Sequence, residues 1–379
     1  MKTKRLLIAG FLSALPLHAK DVPQVDPAPS QAKVQIALLL DTSNSMDGLI
    51  DQARTQLWKV VNTFVDARRD GVTPFVEVAL YEYGNNSLHV ANNYIRQIEP
   101  LSRDLDEISR ELFALKTNGG EEYSGAAIQR ALADLAWDPS EKTYKAIFIA
   151  GNEPFTQGPV DPRQACKDAL AKRIVVNTIH CGTRDAGIAG SWHDGAALAE
   201  GKFMIIDQDK AVAHIDAPQD KAISDLSQAL NKTYLGYGKT WAESARKQTA
   251  ADKDAHANAM AGADVSRAVT KASSNYINTS WDLVDALREK KIDPAKIPAG
   301  DFPAEMRALA PEARVDFIEK AARSRAVIQS QILELNKQRQ AHIAGEMKKQ
   351  ATSGPQTLDE ALVETTRAQA TERGYSFTK

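Results

Sequence analysis

The sequence predicts a doubly wound α/β domain with a mostly parallel sheet, followed by an all-α C-terminal region. Three observations lead to this fold class. Short aliphatic runs, such as residues 34–40 and 145–150, have the length and continuity of strands that are buried on both faces of a sheet. Segments with helical spacing of apolar residues separate these runs. After about residue 215 the strand pattern stops, alanine becomes frequent and only helical periodicity remains.

The elements of the α/β part can be placed in chain order. We expect strands at 34–40, 75–83, 88–98, 145–150, 174–180 and 203–206. Helices are expected at about 105–115, 124–136 and 162–172, and a further one begins near residue 49 and ends near the Arg68–Gly71 stretch. A turn at Gly84-Asn85-Asn86 lies between the second and third strands, which predicts a hairpin there. The Gly187–Gly190 segment is interpreted as a turn.

The C-terminal region is expected to contain helices at 219–250, 254–291, 303–309, 312–350 and 356–373. An apolar stripe runs along the helix at 312–350. This stripe predicts the core of a helical bundle, and a partner-binding face is the alternative.

The N-terminus is typical of a secretory signal peptide. Lys2, Lys4 and Arg5 precede an apolar run at 6–17 that is too short for a comfortable membrane span. With cleavage after Ala19, the expected protein is periplasmic or secreted and not membrane-spanning. The predicted divisions are a signal peptide (1–19), a flexible leader rich in Pro and Ala (20–33), an α/β domain (34–215) and a helical region (216–379).

Charge and motifs argue against several classes of function. The formal net charge of −2 offers no basic field for nucleic acid. No P-loop or G-x-G-x-x-G follows the first strand, which argues against a nucleotide site. No G-x-S-x-G elbow is present, which argues against an α/β-hydrolase.

The most informative motif is Asp41-Thr42-Ser43-Asn44-Ser45, directly after the first strand. A carboxylate and two hydroxyls at alternate positions of a turn can converge on one point. Hard oxygen ligands of this kind suit Mg²⁺, Mn²⁺ or Ca²⁺. The alternative is that one of the two serines caps the next helix.

The predicted topology favours the metal site over the cap. Ligands of doubly wound folds bind outside the carboxyl ends of the strands, where the winding reverses. Asp41 ends the first strand, Asn152 follows the strand at 145–150, and the loop at 117–122 precedes a helix. We expect all three to meet at one edge of the sheet.

Two cysteines, Cys166 and Cys181, are predicted to form a disulfide in an oxidising compartment. The topology places both thiols at the carboxyl edge of the sheet. A bridge would close a loop of about fifteen residues and contribute roughly 3 kcal/mol. Two free, partly buried thiols are the alternative.

The order of the elements, the Asp41-x-Ser43-x-Ser45 motif and the Gly119-Gly120 loop resemble the von Willebrand factor type A (VWA) domain over about residues 34–215. This resemblance implies a metal-ion-dependent adhesion site (MIDAS). Asp41, Ser43 and Ser45 would hold a divalent cation, with Mg²⁺ as the first choice and Mn²⁺ or Ca²⁺ as alternatives. In that family a carboxylate from a protein partner usually completes the coordination.

The sequence departs from the family pattern at two places. Glu121 and Glu122 follow the glycine pair where the family commonly has Thr, and Asn152 stands where Asp is common. All three are therefore candidate cation ligands by resemblance. For the two glutamates the alternative is a solvated loop or a helix N-terminus, which favours acids. Two acids near the cation would leave it less electrophilic toward an external carboxylate.

The resulting prediction is a non-catalytic, exported binding protein that engages a protein partner through a divalent cation. One alternative is a metal-dependent hydrolase or phosphatase that uses Asp41, although the acid expected two residues later is Ser43. His180 and His193 are conceivable partners for the serines, without further support. The other alternative is a structural assembly factor with a degenerate metal site.

Overall fold

The computed structural model describes residues 32–46, 50, 57–206, 215–258, 262–350 and 358–377, without the side chains of residues 45, 347–350 and 358–360. The predicted signal peptide and nearly all of the predicted leader lie outside these residues. The same holds for most of the first half of the first predicted helix and for the segment just before the predicted boundary at 215.

Eight strands are present in the described part of the chain. In chain order they are β1 (Lys33–Asp41), β2 (Ala67–Arg68), β3 (Phe75–Tyr83), β4 (Ile95–Ser102), β5 (Tyr144–Gly151), β6 (Val175–Cys181), β7 (Phe203–Ile206) and β8 (Ser376–Phe377). Six of them form one sheet in the order β4-β3-β1-β5-β6-β7, and β2 pairs with β8. Only β4 runs antiparallel to its neighbour in the main sheet. The predicted fold class is therefore confirmed.

Twelve helices accompany these strands in the described ranges. They are α1 (residues 57–62, with residue 50 also helical), α2 (Leu105–Ala114), α3 (Ser124–Asp134), α4 (Pro162–Ala171), α5 (Arg184–Ala189), α6 (Trp192–Leu198), α7 (Asp220–Asn231), α8 (Trp241–Ala257), α9 (Ala263–Ala272), α10 (Leu283–Arg288), α11 (Pro311–Gln350) and α12 (Leu358–Glu372). Short 3-10 turns lie at Asn44–Met46, Val90–Asn92, Pro294–Lys296, Ala299–Asp301 and Ala304–Met306.

Helices cover both faces of the main sheet, which explains the unbroken apolar runs of its strands. Ile36 of β1 packs in a cluster with α1, α2 and α12, whereas Leu39 packs on the opposite face with α3, α4 and α6. Successive strand side chains point to opposite faces, so a strand covered on both sides needs apolar residues throughout. The winding reverses between β1 and β5, whose carboxyl ends lie side by side.

The C-terminal region contains more and shorter helices than the periodicity predicts. The segment expected as one helix at 219–250 is α7 and α8, separated by a loop with Gly236 and Gly238. Gly238 has φ +77, which a right-handed helix does not accommodate. The segment at 254–291 likewise divides into α9 and α10, and the one at 303–309 is the 3-10 turn Ala304–Met306. The predicted long helix at 312–350 is present as α11.

The last helix and strand return to the α/β core. Leu362, Ala370 and Tyr375 are buried in the same cluster as α1 and the strands of the main sheet. Gln369 exchanges hydrogen bonds with Asn177 of β6 and accepts one from the Tyr144 hydroxyl at 2.8 Å. Chain beyond residue 350 therefore contributes to the α/β core, and α7–α11 lie between β7 and α12 in the chain.

The predicted disulfide is not formed, since Cys166 and Cys181 are both buried free thiols. Cys166 of α4 packs among the residues on one face of the sheet, and Cys181 of β6 packs on the other face. Both residues are near the carboxyl edge, but the sheet itself separates their side chains. The alternation of side chains along β6 decides this outcome.

Three further elements differ from the prediction. The first helix ends at residue 62 rather than near Arg68, because Ala67–Arg68 forms β2. The third strand begins at Ile95 rather than at residue 88, because Val90–Asn92 forms a 3-10 turn and the next two residues, Asn93 and Tyr94, have positive φ. The Gly187–Gly190 turn belongs to α5, which Thr183 caps by accepting a hydrogen bond from the Ala186 N–H.

Candidate metal centre

Asp41 is the buried centre of the candidate site. It ends β1 at the point where the winding reverses, and its side chain is fully buried. One carboxylate oxygen, Oδ1, accepts a hydrogen bond from the Ser43 N–H at 2.8 Å. The other oxygen, Oδ2, has no hydrogen-bond donor among the described residues. A buried carboxylate oxygen without a donor is costly, so this position calls for a positive partner.

Two glycines make room for this carboxylate. A Cβ at Gly84, which follows β3, would lie 2.7 Å from Asp41 Oδ1. A Cβ at Gly151, the last residue of β5, would lie 3.1 Å from Asp41 Oδ2 and 2.6 Å from the Tyr83 hydroxyl. A glycine thus lies at the carboxyl end of each strand beside β1, directly after β3 and as the last residue of β5, and oxygen atoms occupy the space.

The pKa of Asp41 is raised, as expected for a buried carboxylate. Burial raises the pKa of Asp41 to about 7, hydrogen bonds from Ser43 oppose the rise, and the charges of Glu122 and Glu153 add to it. Desolvation and like charge both disfavour an ionised acid. A bound divalent cation would reverse this balance and favour the carboxylate form.

The loop at 116–122 is held against the Asp41 turn by backbone hydrogen bonds. The Asn118 N–H donates to the Thr42 carbonyl at 2.9 Å, and the Asn86 N–H donates to the Gly119 carbonyl at 2.8 Å. The Asn85 side chain adds a bond from Nδ2 to the Lys116 carbonyl at 3.0 Å. These contacts fix the height of the loop above the sheet edge.

The two glutamates at the end of this loop have different environments. Glu122 is buried, with 7% of its surface exposed, and its Cγ lies 2.8 Å from the position of a Cβ on Gly84. Burial and the Glu153 charge raise the pKa of Glu122 to about 7, against a lowering hydrogen bond from the Ser43 side chain. Glu121 is exposed and accepts a hydrogen bond from Gln157 at 3.1 Å. The structure thus brings Asp41, Ser43 and Glu122 together and leaves Glu121 at the surface.

The remaining predicted ligands lie on neighbouring segments. Asn152 directly follows β5 and is half-buried beside the end of β1. Ser45 lies in the 3-10 turn Asn44–Met46, and the structure describes its backbone but not its side chain. The Ser43 carbonyl accepts the first bond of this turn, from the Met46 N–H at 3.1 Å.

The two histidines that could serve a hydrolase have other surroundings. His180 at the end of β6 is buried, its ring lies 5.8 Å from that of Trp192, and burial lowers its pKa. His193 is half-exposed, lies edge-on to Phe203 and approaches Asp194 to 3.7 Å. Each ring thus packs against an aromatic side chain, and His180 Nδ1 has no hydrogen-bond partner among the described residues.

Sequence reasoning missed the residues that shape the site without being ligands. Tyr83 donates a hydrogen bond to the Ala150 carbonyl at 2.9 Å and joins the ends of β3 and β5. The sequence indicates Asn85 only as part of a turn, yet it is buried and its Nδ2 donates to the backbone carbonyls of Thr42 and Lys116. The sequence does contain a signal for this site, since a glycine follows the predicted strand at 75–83 and another follows the one at 145–150. Such positions leave space beside Asp41.

Comparisons with known proteins give matches in structure but not in sequence. No protein-family model matches the chain, and no curated protein matches its sequence. Similar solved structures include BatB from Bacteroides thetaiotaomicron (16% identity, TM-score 0.35, 46% of this chain and 90% of that one). Another is the SpRpn10 VWA domain (16% identity, TM-score 0.35, 45% of this chain and 87% of that one). A third is proximal thread matrix protein 1 from the mussel byssus with a zinc-occupied MIDAS motif (15% identity, TM-score 0.37, 48% of this chain and 43% of that one).

These similarities concern the fold alone. The six-stranded order β4-β3-β1-β5-β6-β7, with one antiparallel edge strand and helices on both faces, fits a VWA domain protein. In the part of the chain that the structure describes, no helix combines the length and the apolar character that a membrane crossing requires.

Proposed function

We propose that this protein is an exported, non-catalytic binding module that engages a protein partner through a divalent cation held at Asp41. The observation that carries the proposal is the fully buried Asp41 carboxylate, whose Oδ2 lacks a donor among the described residues. Its position at the switch point of the sheet is where doubly wound folds bind ligands.

The residues around Asp41 fit a hard cation. Asp41 and Ser43 would hold it, and Ser45, Glu122 and Asn152 are the further candidate ligands. Carboxylate, hydroxyl and amide oxygens suit Mg²⁺, Mn²⁺ or Ca²⁺, and Mg²⁺ is our first choice. When bound, the cation would supply positive charge for the buried acids and an open position for an oxygen atom of the partner.

The proposed location follows from the N-terminal sequence. Basic residues before a short apolar run are typical of export, and cleavage after Ala19 would give a periplasmic or secreted protein. The partner is proposed to be a protein, as the resemblance to adhesion sites implies.

Thermal unfolding of the mature protein tests the cation site. We expect wild type to be stabilised over the EDTA-treated sample by about 2.7 kcal/mol when the cation is present at roughly one hundred times its dissociation constant. Asp41→Asn should show no such shift. Without cation, this variant should be at least as stable as wild type, because it removes a buried charge.

Asp225→Asn is the matched control, because Asp225 is exposed on α7 and pairs only with Lys221 among the contacts described for it. It should keep the full cation shift. Absence of a shift in wild type with Mg²⁺, Mn²⁺ and Ca²⁺ would overturn the proposed site.

Capture of a protein partner is the second part of the test. The immobilised protein should retain a partner from the exported fraction of its host with cation and release it with EDTA, and Asp41→Asn should retain none. Turnover of a phosphate or ester substrate that is lost in Asp41→Asn would instead support the hydrolase alternative.

A further inference from the structure

The environment of Glu122 distinguishes this site from one that is open to an acidic ligand. Asp41 Oδ1 and Glu122 Cγ lie 2.7 and 2.8 Å from one point, the position that a Cβ on Gly84 would take. Both side chains therefore pack against the same glycine. The Glu122 side chain is directed inward beside Asp41 and is 7% exposed.

The loop that carries Glu122 cannot easily move away. A Cβ at Gly120 would lie 2.4 Å from the Gly84 carbonyl oxygen, so the two backbones are in direct contact. Asn118 and Gly119 are bonded to Thr42 and Asn86. Burial of Glu122 and the start of α3 two residues later hold the other end of the loop.

We infer that Glu122 is itself a ligand of the cation, so that this chain supplies the carboxylate which a partner would otherwise contribute. The inference rests on the proposed function and specifies the chemistry of the partner. A group from the partner that reaches the cation would then be a neutral oxygen, such as a carbonyl or a hydroxyl, rather than a carboxylate.

Charge balance supports this chemistry. Two ionised carboxylates, Asp41 and Glu122, neutralise a divalent cation. A third carboxylate from a partner would bring net negative charge into a site in which both acids are buried. Like charges in a partly buried site repel strongly because solvent screens them little.

Two neighbouring acids allow a matched test by Mn²⁺ titration. Glu122→Gln keeps the shape of the side chain and should lower Mn²⁺ affinity at least about tenfold, since even outer partners of metal ligands contribute that much. Glu121→Gln, one residue away and exposed, should change the affinity by less than about twofold, because salt screens an exposed charge. Thermal unfolding with EDTA checks that both variants fold.

A second readout counts the open positions on the cation. Water-proton relaxation of bound Mn²⁺ should report more exchangeable water in Glu122→Gln than in wild type or Glu121→Gln. Sodium acetate, as a free carboxylate, should strengthen Mn²⁺ binding by Glu122→Thr and leave the affinity of wild type unchanged.

The outcomes separate the two proposals. Suppose that wild type binds Mn²⁺ and Asp41→Asn does not. If Glu122→Gln then binds Mn²⁺ as well as wild type, and acetate strengthens binding by wild type, the inference about Glu122 is wrong and the cation site stands. If wild type binds no Mn²⁺, the proposed function fails and the inference fails with it.

Discussion

At the scale of single residues, the site depends on positions where no side chain is present. Gly84 and Gly151 border the Asp41 carboxylate, and Gly120 touches the Gly84 carbonyl. Glycine permits close approach of two backbones, and Gly84 also has a φ of +77 that other residues adopt at a cost. The ligands can converge only because these three positions stay empty.

Gly120→Ala should therefore weaken cation binding and stability together. Its Cβ would lie 2.4 Å from a backbone oxygen, so the loop with Glu122 must shift. We expect a loss of about 1–3 kcal/mol in the free energy of unfolding, as for other overpacked sites, and a lower Mn²⁺ affinity by titration.

The adjacent glycine provides the control for this prediction. A Cβ at Gly119 would meet the exposed Asn44 side chain at 3.1 Å, and that side chain can turn aside. Gly119→Ala should keep most of the stability and affinity. Equal losses in both variants would contradict the role given to the Gly120–Gly84 contact.

At the scale of elements, α9 is joined to the α/β domain by buried charges. Arg267 is almost fully buried, donates to Asp106 of α2 at 2.7 Å and lies over the Trp58 ring of α1 at 4.8 Å. It also pairs with Asp252 of α8 at 2.5 Å. The Tyr276 hydroxyl donates to the second oxygen of Asp106. Each acid in this cluster is thus paired.

Arg267→Met should destabilise the protein by about 3–5 kcal/mol, because it leaves Asp106 buried with an uncompensated charge. Denaturant unfolding measures the loss. Arg323→Met is the control, since Arg323 is exposed on α11 and its pair with Glu319 should contribute at most about 0.5 kcal/mol. Similar losses in the two variants would show that the buried cluster adds little.

The ion pairs of Glu107 on α2 lead us to expect that the stability of the protein depends on pH. Hydrogen bonds from Arg110 and Lys247 of α8 lower the pKa of Glu107 from its ordinary 4.5 to about 2. A lowered acid pKa stabilises the folded state above the ordinary value, and this stabilisation is lost as the pH falls from 4.5 toward 2. The contribution should be about 1 kcal/mol or less, because Arg110 is half-exposed.

Comparison of Glu107→Gln with wild type across this pH range checks the sign. Wild type should be the more stable protein at pH 7, and the difference in unfolding free energy should vanish as the pH approaches 2. A difference that is constant with pH would mean that the loss comes from packing rather than from ionisation.

At the scale of the whole molecule, the α/β core is completed by the end of the chain. Leu362, Ala370 and Tyr375 cover one face of the sheet together with α1 and α2. The Tyr375 hydroxyl donates to the Lys33 carbonyl at the start of β1. Helices α7, α9, α10 and α11, which lie between β7 and this segment in the chain, contribute to two further apolar clusters.

A chain truncated after Gln350 should therefore expose part of the sheet. We expect ANS binding and a lower midpoint of urea unfolding, because burial of apolar side chains such as Leu362 is lost. Tyr375→Phe, which keeps the ring and loses only the hydroxyl bonds, should cost about 1 kcal/mol. An unchanged midpoint after truncation would contradict this role of α12 and β8.

Local patterns predicted the main elements well for identifiable reasons. β1 and β5 are continuous aliphatic runs because both faces are covered, and α11 has uninterrupted helical periodicity. The predicted element boundaries are wrong where the backbone conformation changes without a change in the periodicity of apolar residues, as at Asn93, Tyr94 and Gly238. The Asp41 motif was recognisable because its residues are neighbours in sequence.

The sequence by itself determined the fold class and the oxygen-rich turn after the first strand, since both follow from residues within a few positions of one another. Only the tertiary structure decided that Glu122 and not Glu121 faces Asp41, that the sheet separates Cys166 from Cys181, and that α12 completes the core. Each of these three features depends on which face of a helix, strand or loop packs against which neighbouring element. Contacts between residues far apart in the chain determine that packing.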